Sequence, residues 1–211
     1  MKFPRTPHLP SSPGVTRDDR IMLNPDTQWA HKYVVITEKM DGENTTMTRE
    51  SVHARSLDSG YHPSRTWVKR KWAEHAQRIP LGWQVVGENL YAQHSLCYSY
   101  LPDYFLVFAI IDGQGDVKSW SDTVTWAHAL GFKMVPWLQR AYFDSVRVEK
   151  DSKRWHSSCG ASMEGYVIRT AEAFSLSEWE NNVAKWVRKG HVQTDEHWLY
   201  QEVVKNGLLR E

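Results

Sequence analysis

The sequence predicts a mixed fold of the α+β class. Short runs rich in β-branched and aromatic residues, each bounded by turn residues, recur along the chain and predict strands. Two longer segments carry apolar residues at three- and four-residue spacing and predict helices. The 211 residues are 41% hydrophobic and 24% charged, a composition typical of a globular protein.

Composition also excludes some classes of protein. No stretch approaches the roughly 20 apolar residues that span a membrane, and the N-terminus lacks the apolar core of a signal peptide. The two cysteines, Cys97 and Cys159, lack metal-type spacing, so we expect a reducing, cytoplasmic setting. The net charge of +1 argues against a protein coated in positive charge, although a local basic groove would suffice for nucleic acid.

The first half of the chain predicts an arm, three strands and a helix. Residues 1–28 are rich in proline and polar residues and predict an irregular arm. Residues 64–79 predict a helix, because apolar residues recur at helical spacing between a Ser64 cap and Pro80. The strands are predicted at 33–37, 45–48 and 51–55.

The second half predicts further strands between helices. Residues 104–111 form the most apolar run and predict a buried central strand. Ser121 is expected to cap a helix that ends before Gly131, and Thr194 to cap a terminal helix over 194–209. The other predicted elements are strands at 83–91, 163–169 and 182–189, an edge segment at 134–138 and a charged helix at 144–155.

A lysine between two carboxylates is the first candidate for chemistry. Lys39 lies in the stretch Glu38-Lys39-Met40-Asp41-Gly42-Glu43-Asn44, between two predicted strands. A free lysine amine has a pKa of about 10.4 and is a poor nucleophile at neutral pH, but burial or a second cation would disfavour its ammonium form. The stretch therefore suits a nucleophilic lysine at a nucleotide site. Taken alone, it also suits a charged hairpin turn, since Asp-Gly is an ordinary turn pair.

Two further residues have a functional and a structural interpretation. Gly87, inside a predicted strand, indicates that another group approaches the backbone closely. The adjacent Glu88 is then a candidate ligand for a ribose hydroxyl or a metal, or else a carboxylate on an edge strand. Arg55, at the end of a predicted strand, either contacts a phosphate or is solvated.

The order of these motifs is more specific than any one of them. Lys39-x-Asp41-Gly42 is followed by Gly87-Glu88, Phe105-Leu106-Val107-Phe108, Glu164-Gly165-Tyr166-Val167 and Val183-Ala184-Lys185. This order resembles the covalent nucleotidyltransferase superfamily of ATP-dependent ligases and capping enzymes. Asn44 and the stretch 87–92 make the chain most similar to ligases of the RNA ligase 2 type. The resemblance covers about residues 1 to 195.

The resemblance implies a nucleotidyltransferase fold, ATP-grasp-like, in which antiparallel sheets flanked by helices enclose a nucleotide pocket. It also implies that residues 1–211 form a single adenylyltransferase domain without a C-terminal OB or accessory domain. Lys39 would attack the α-phosphate of ATP, with Mg²⁺ or Mn²⁺ as the metal, and Lys185 would neutralise the developing charge. The other implied roles are adenine recognition by Glu38, purine stacking by Phe108, ribose binding by Glu88, metal binding by Glu164, contact with metal-bound water or the lysine by Asn44, and contact with a nucleic-acid phosphate or the adenylate by Arg55.

Two positions depart from the pattern of that family. The aromatic residue matched by Phe108 is usually followed by Asp, but here Ala109 follows it, and Asp112 is the candidate replacement. The last motif usually carries two lysines with one residue between them, which this chain lacks. Lys189 is the expected second cation, because strand alternation puts it on the same face as Lys185 and puts Arg188 on the other.

The function implied by the resemblance is that of an ATP-dependent RNA ligase. It would join a 5′-phosphate to a 3′-hydroxyl. The expected partners are RNA and optionally a separate repair or end-healing protein, and no association with a membrane is expected. One alternative is a minimal ATP-dependent DNA nick ligase. Another is a non-catalytic nucleic-acid-binding relative, which Ala109 and the altered last motif favour. An mRNA guanylyltransferase is less expected, since no cap-forming OB domain is recognised.

Overall fold

The computed structural model describes residues 3–56, 62–190 and 202–209, which form strands in two sheets with helices around them. The strands are β1 Tyr33–Lys39, β2 Glu43–Met47, β3 Val52–Ala54, β4 Gln84–Asn89, β5 Phe105–Ile111, β6 Asp116–Val117, β7 Lys133–Met134, β8 Trp137–Tyr142, β9 Gly165–Thr170, β10 Phe174–Ser175 and β11 Val183–Val187. The helices are α1 Pro25–Gln28, α2 Thr66–His75, α3 Trp120–Leu130, α4 Ser145–Ser152 and α5 Trp179–Asn182, with 3₁₀ turns at Pro63–Arg65, Ala76–Arg78 and Leu176–Glu178. These elements confirm the predicted α+β class.

The first sheet has the antiparallel order β11-β9-β1-β8. β1 is buried from Val34 to Glu38 because both faces of the sheet are covered. Ile36 and Ile168 pack with Trp29 in a cluster on one face. Burial on both faces explains why the apolar residues of this strand, Val34 to Ile36, are consecutive and do not alternate with polar ones.

The second sheet has the order β10-β6-β5-β4-β2-β3, and β7 adds to β5 in parallel. Helices α2 and α3 supply Val68 and Leu130 to an apolar cluster that also contains Phe105. Val35 of the first sheet and Leu106 of the second belong to another common cluster. Because the chain passes from β1 to β2 within a few residues, the end of β1 lies where the two sheets meet.

Several boundaries differ from the sequence-based predictions. Helix α3 begins at Trp120 and not after Ser121, since the Ser119 hydroxyl accepts the hydrogen bond from the Asp122 amide that caps the helix. The predicted edge segment 134–138 is divided between β7 and a longer β8, which pairs with β1 at the edge of the first sheet. A local cap sets the start of α3, whereas pairing with strands distant in sequence sets the bounds of β7 and β8.

The predicted terminal helix over 194–209 is wrong for residues 202–209, and the rest of it lies outside the described residues. Residues 202–209 have no helical hydrogen bonds, and Lys205 and Leu208 bridge to Ala92 and Leu101. Asn206 explains the difference: its side chain donates to Leu90 O at 2.8 Å and accepts from Tyr98 N at 2.8 Å. These tertiary hydrogen bonds outweigh a local helical pattern.

The N-terminal arm adds to the edge of the first sheet. The Leu9 amide donates to Lys185 O at 2.8 Å, the Lys185 amide donates to Pro7 O at 2.9 Å, and the Gly14 amide donates to Val187 O at 3.0 Å. The irregular arm predicted over 1–28 is thus attached to β11 through residues 7–14, and it ends in the short helix α1. Within the described ranges, no helix is long and apolar enough to cross a membrane.

Candidate active site

Lys39 and Glu164 form a buried ion pair where β1 and β9 meet. Lys39 is the last residue of β1 and faces Gly165 in the strand register, so the preceding Glu164 reaches it. The Lys39 Nζ lies 2.5 Å from Glu164 Oε1, and the two side chains are 15% and 1% exposed. Burial acts to lower the pKa of Lys39, but the negative charges of Glu164 and Glu88 outweigh it and raise that pKa above its ordinary value.

Glu88 and Asn44 face each other across β4 and β2. Burial, together with repulsion from Glu164 and Asp41, raises the pKa of Glu88 to about 8, even though the charge of Lys39 opposes the rise. The Asn44 Oδ1 is buried and has no hydrogen-bond partner among the described residues. The region around Lys39 therefore holds several carboxylates and one buried amide oxygen without a hydrogen-bond partner among the described residues.

Lys185 and Arg55 bring positive charge to the same region. Lys185 pairs with Val167 on β9, and its side chain is 21% exposed. Burial, followed by repulsion from Lys39, lowers the pKa of Lys185, and the positive charge of Arg55 contributes in the same direction. Lys39, Lys185 and Arg55, which are far apart in sequence, thus approach one another closely enough to interact.

Glu38 and Phe108 have the properties expected for recognising a base. Glu38 is 1% exposed, and neither of its carboxylate oxygens accepts a hydrogen bond of normal geometry from the described residues. Burial raises its pKa, although the Ser157 hydroxyl partly opposes the rise. Phe108 is the extra residue of a β-bulge between β4 and β5, and it remains partly exposed beside Phe3, with ring centroids 5.8 Å apart. A bulge re-aims a side chain in this way.

The structure gives the surroundings of Asp112 and Lys189, the suggested replacements at the two departures. Asp112 pairs with Lys118 at 2.6 Å and accepts hydrogen bonds from the amides of its own turn, so it does not replace a carboxylate after Phe108. Ala109 is fully buried in apolar surroundings. Lys189 is exposed and follows the end of β11 at Val187, so the strand alternation on which its prediction depended does not extend to it.

Gly87 and Asp41 have structural roles in the strand and the turn next to the predicted site residues. A Cβ on Gly87 would meet Leu106 O at 2.5 Å and the Phe105 ring at 2.7 Å, so the close approach predicted there is made by the next strand and not by a ligand. The Asp41 carboxylate is fully buried and accepts hydrogen bonds from the Ser95 amide and hydroxyl and from the Leu96 amide. Asp41 therefore fixes the turn that follows Lys39.

The sequence analysis missed His8 and Asp19, which the arm brings beside Lys185. His8 is 2% exposed, its Nδ1 lies 2.8 Å from the Ser12 hydroxyl, and its Nε2 lies 3.4 Å from Asp19. Burial and then the charge of Lys185 lower the pKa of His8 to about 4. No periodicity or motif in the arm could have revealed either residue, because both depend on the attachment of the arm to β11.

The oxygen atoms around Lys39 fit a divalent cation. Glu164, Glu88 and the unpartnered Asn44 Oδ1 are hard ligands of the type that Mg²⁺ and Mn²⁺ accept. Among the described residues, no three acidic, histidine or cysteine side chains form a metal-binding group. A cation here would thus share its coordination with water and substrate phosphates, as Mg²⁺ commonly does.

Comparisons with solved structures agree with this fold. A Naegleria gruberi RNA ligase variant solved in the apo form matches with a TM-score of 0.58 and 14% identity, over 88% of this chain and 57% of that one. A second variant, solved with ATP and Mn, matches with a TM-score of 0.53 and 13% identity, over 79% and 52%. A third, with AMP and Mn, has a TM-score of 0.54 and 14% identity, over 79% and 52%. The chain thus spans little more than half the length of these ligases.

The comparison with family models identifies the family more directly than the comparison of folds does. A search of curated proteins finds no match to this chain. The family model described as RNA ligase matches residues 32–187, from the first strand through the last and across every element that carries the site. The chain therefore belongs to the RNA ligase family.

Proposed function

We propose that this chain is the adenylyltransferase unit of an ATP-dependent RNA ligase that joins a 5′-phosphate to a 3′-hydroxyl through a lysyl-adenylate. The observation that carries the proposal is the placement of a buried lysine, Lys39, against the carboxylate of Glu164. The second lysine, Lys185, lies near enough to Lys39 that their repulsion adds to the effect of burial in lowering the pKa of Lys185. Nucleotidyl transfer needs a positioned nucleophile and fixed positive charge at the phosphate, and this arrangement supplies both.

In the first step, the neutral Lys39 amine attacks the α-phosphorus of ATP. A nitrogen–phosphorus bond forms, the bond to pyrophosphate breaks, and the proton of the attacking amine passes to solvent. The surrounding carboxylates favour the ammonium form of Lys39, so its deprotonation must be assisted. Glu164, and Asn44 through water, would hold a divalent cation, whose positive charge would offset those carboxylates and lower the pKa of the lysine.

The remaining residues would hold the nucleotide. The Glu38 carboxylate, buried and without a hydrogen-bond donor of normal geometry, would accept from the adenine amino group, which favours ATP over GTP. Phe108 would stack on the purine from its bulge, and Glu88 would bind the ribose. Lys185 and Arg55 would neutralise phosphate charge, and Lys185 would stabilise the transition state.

Two further transfers complete ligation. An oxygen of the RNA 5′-phosphate attacks the lysyl-adenylate, a phosphorus–oxygen bond replaces the bond to Lys39, and the lysine regains its proton. The 3′-hydroxyl then attacks the activated 5′-phosphate and loses its proton, and AMP leaves as the phosphodiester forms. Lys185 and Arg55 would neutralise phosphate charge in each transfer.

Covalent labelling tests the proposal. The wild-type protein is incubated with α-labelled ATP and Mg²⁺ or Mn²⁺, and we expect the base-stable, acid-labile labelling of a phosphoramide, which peptide mapping assigns to Lys39. Lys39→Ala should not label, whereas Lys32→Ala, an exposed lysine just before the same strand, should label normally. A wild-type protein that gains no AMP with either metal would support the non-catalytic alternative. Labelling of Lys39→Ala would assign the nucleophile elsewhere.

Substrate assays then separate the polynucleotide classes. Nicked duplexes that differ only in ribose or deoxyribose at the 3′ side distinguish RNA sealing from the alternative of a DNA nick ligase, and we expect the ribose substrate to be preferred. RNA repair in a reducing cytoplasm, with or without a separate end-healing protein, is the setting that we propose. The free thiols of Cys97 and Cys159 are compatible with that compartment.

A further inference from the structure

The N-terminal arm brings its own carboxylate to Lys185. The arm pairs with the backbone of Lys185 itself, whose amide donates to Pro7 O and whose carbonyl accepts from the Leu9 amide. It then returns on itself: the His8 amide donates to Arg20 O at 2.7 Å, and the Met22 amide donates to His8 O at 2.8 Å. These hydrogen bonds hold Asp19 beside the lysine that we place at the α-phosphate.

Asp19 is fixed before it meets the lysine. Its Oδ2 accepts hydrogen bonds from the Thr16 amide at 3.0 Å and from the Thr16 hydroxyl at 2.8 Å, and lies 3.4 Å from His8 Nε2. The remaining oxygen, Oδ1, lies 3.9 Å from Lys185 Nζ. Asp19 is therefore a pre-oriented carboxylate.

The charges around Lys185 explain why it needs such a partner. Lys39 and Arg55 repel its ammonium, whereas Asp19 and Glu164 attract it. Glu164 is already paired with Lys39 at 2.5 Å. His8, which also faces Lys185, has a pKa of about 4, lowered first by burial and then by Lys185, and is neutral at physiological pH. Asp19 is thus the carboxylate best placed to orient Lys185.

We propose that Asp19 is a positioning residue for Lys185, holding its ammonium at the edge of the site until the α-phosphate of the nucleotide replaces the carboxylate as its closest anion. The separation of 3.9 Å suits this role, since it restrains the lysine without a tight ion pair that nucleotide binding would have to break. The inference rests on the proposed function, because it takes Lys185 as the cation at the α-phosphate.

Asp19→Asn is the test variant, and Asp18→Asn, an exposed aspartate one residue earlier, is the matched control. At a fixed metal concentration, we expect Asp19→Asn to slow lysyl-adenylate formation about tenfold or more, because a displaced Lys185 no longer meets the phosphate, with a smaller effect on KM for ATP.

The alkaline limb of the pH profile of Asp19→Asn should move to lower pH, because the attraction that helps keep Lys185 protonated is lost. Asp19→Glu should restore part of the rate, and Asp18→Asn should behave as wild type. Equal rates and pH profiles for the two Asn variants would overturn the proposal.

A second measurement does not require activity. NMR of the lysine side-chain amines gives the pKa of Lys185 without nucleotide, the signal being assigned by its loss in Lys185→Arg. We expect a lower pKa in Asp19→Asn than in wild type or Asp18→Asn, and an unchanged pKa would contradict the proposal even if all of the proteins label. Conversely, the pKa of Lys185 could be lower in Asp19→Asn than in wild type although no protein labels. That result would support the pairing of Asp19 with Lys185 and would refute the proposed function. Thermal unfolding of each variant identifies any loss that comes from detachment of the arm.

Discussion

The Nζ of Lys39 lies 2.5 Å from Oε1 of Glu164, and both side chains are largely buried. The strand register creates this contact, since Lys39 ends β1 opposite Gly165, the first residue of β9. The carboxylate keeps the lysine in place but also favours its unreactive ammonium form. The nucleophilic attack that we propose for Lys39 would therefore require that the charge of Glu164 be offset when the nucleotide binds.

Glu164→Gln separates these two effects of the carboxylate. Loss of the charge alone would lower the pKa of Lys39 and increase the neutral amine, whereas loss of a metal ligand would prevent the reaction. We expect the second effect to dominate, with covalent labelling reduced about tenfold or more and a higher metal concentration needed for half-maximal labelling. Labelling across a Mn²⁺ titration measures both quantities. The exposed Glu172→Gln is the control, and faster labelling of Glu164→Gln would contradict a metal role for Glu164.

Phe108→Ala should weaken ATP binding. Stacking of an aromatic side chain on a base contributes about 1–3 kcal/mol, so we expect KM for ATP in self-adenylylation to rise at least about fivefold. Phe108→Tyr keeps the ring at the bulge and should stay close to wild type. Because Phe108 also contacts Phe3, thermal unfolding of each variant is measured in parallel. An unchanged KM in Phe108→Ala would exclude stacking at this position.

Asp41→Ala should act mainly on stability. The mutation leaves the Ser95 and Leu96 amides and the Ser95 hydroxyl without their buried acceptor. Each hydrogen bond to a charged group contributes about 1.5–3 kcal/mol, not additively, so we expect the free energy of unfolding to fall by at least about 3 kcal/mol. Urea denaturation measures this loss. The control is Asp18→Ala, which is exposed and should change stability little; equal stability of the two variants would contradict the role given to Asp41.

His8 should make the protein less stable in mild acid. Its folded pKa of about 4 is below the ordinary value of 6.5, so between these values the unfolded chain binds more protons than the folded one. The stabilisation is fully present above pH 6.5 and is lost as the pH falls towards 4, by up to about 3 kcal/mol at about 1.4 kcal/mol per pKa unit. Lys185, Asp19, Lys39 and Glu164 are the charged groups that act on His8.

Urea denaturation at several pH values between 7.5 and 4.5 checks this dependence. His8→Gln should show a smaller loss of stability over that interval than wild type. His128→Gln, at an exposed position on α3, should follow the wild-type curve. If His8→Gln loses as much stability as wild type between these pH values, His8 is not the group responsible.

Much of the fold and part of the candidate site could be predicted from local pattern. The apolar run 104–111 predicts β5 because a buried strand needs apolar side chains on both faces. The order of the motifs identified Lys39, Glu88, Glu164 and Lys185, which the folded chain brings together. Lys39 and Glu164 lie at strand ends, whereas Glu88 and Lys185 lie within strands.

The sequence by itself determined the class of the fold, most of its strands and the residues of the recognised motifs, since side-chain periodicity within one element reports which faces are buried. The tertiary structure decided which charges meet. The bulge that presents Phe108, the exposed position of Lys189 and the extended segment around Asn206 all depend on contacts between distant parts of the chain. So do the raised pKa of Lys39 and the pairing of Asp19 with Lys185, because electrostatic interactions depend on separation in space and on burial, and no local pattern encodes either.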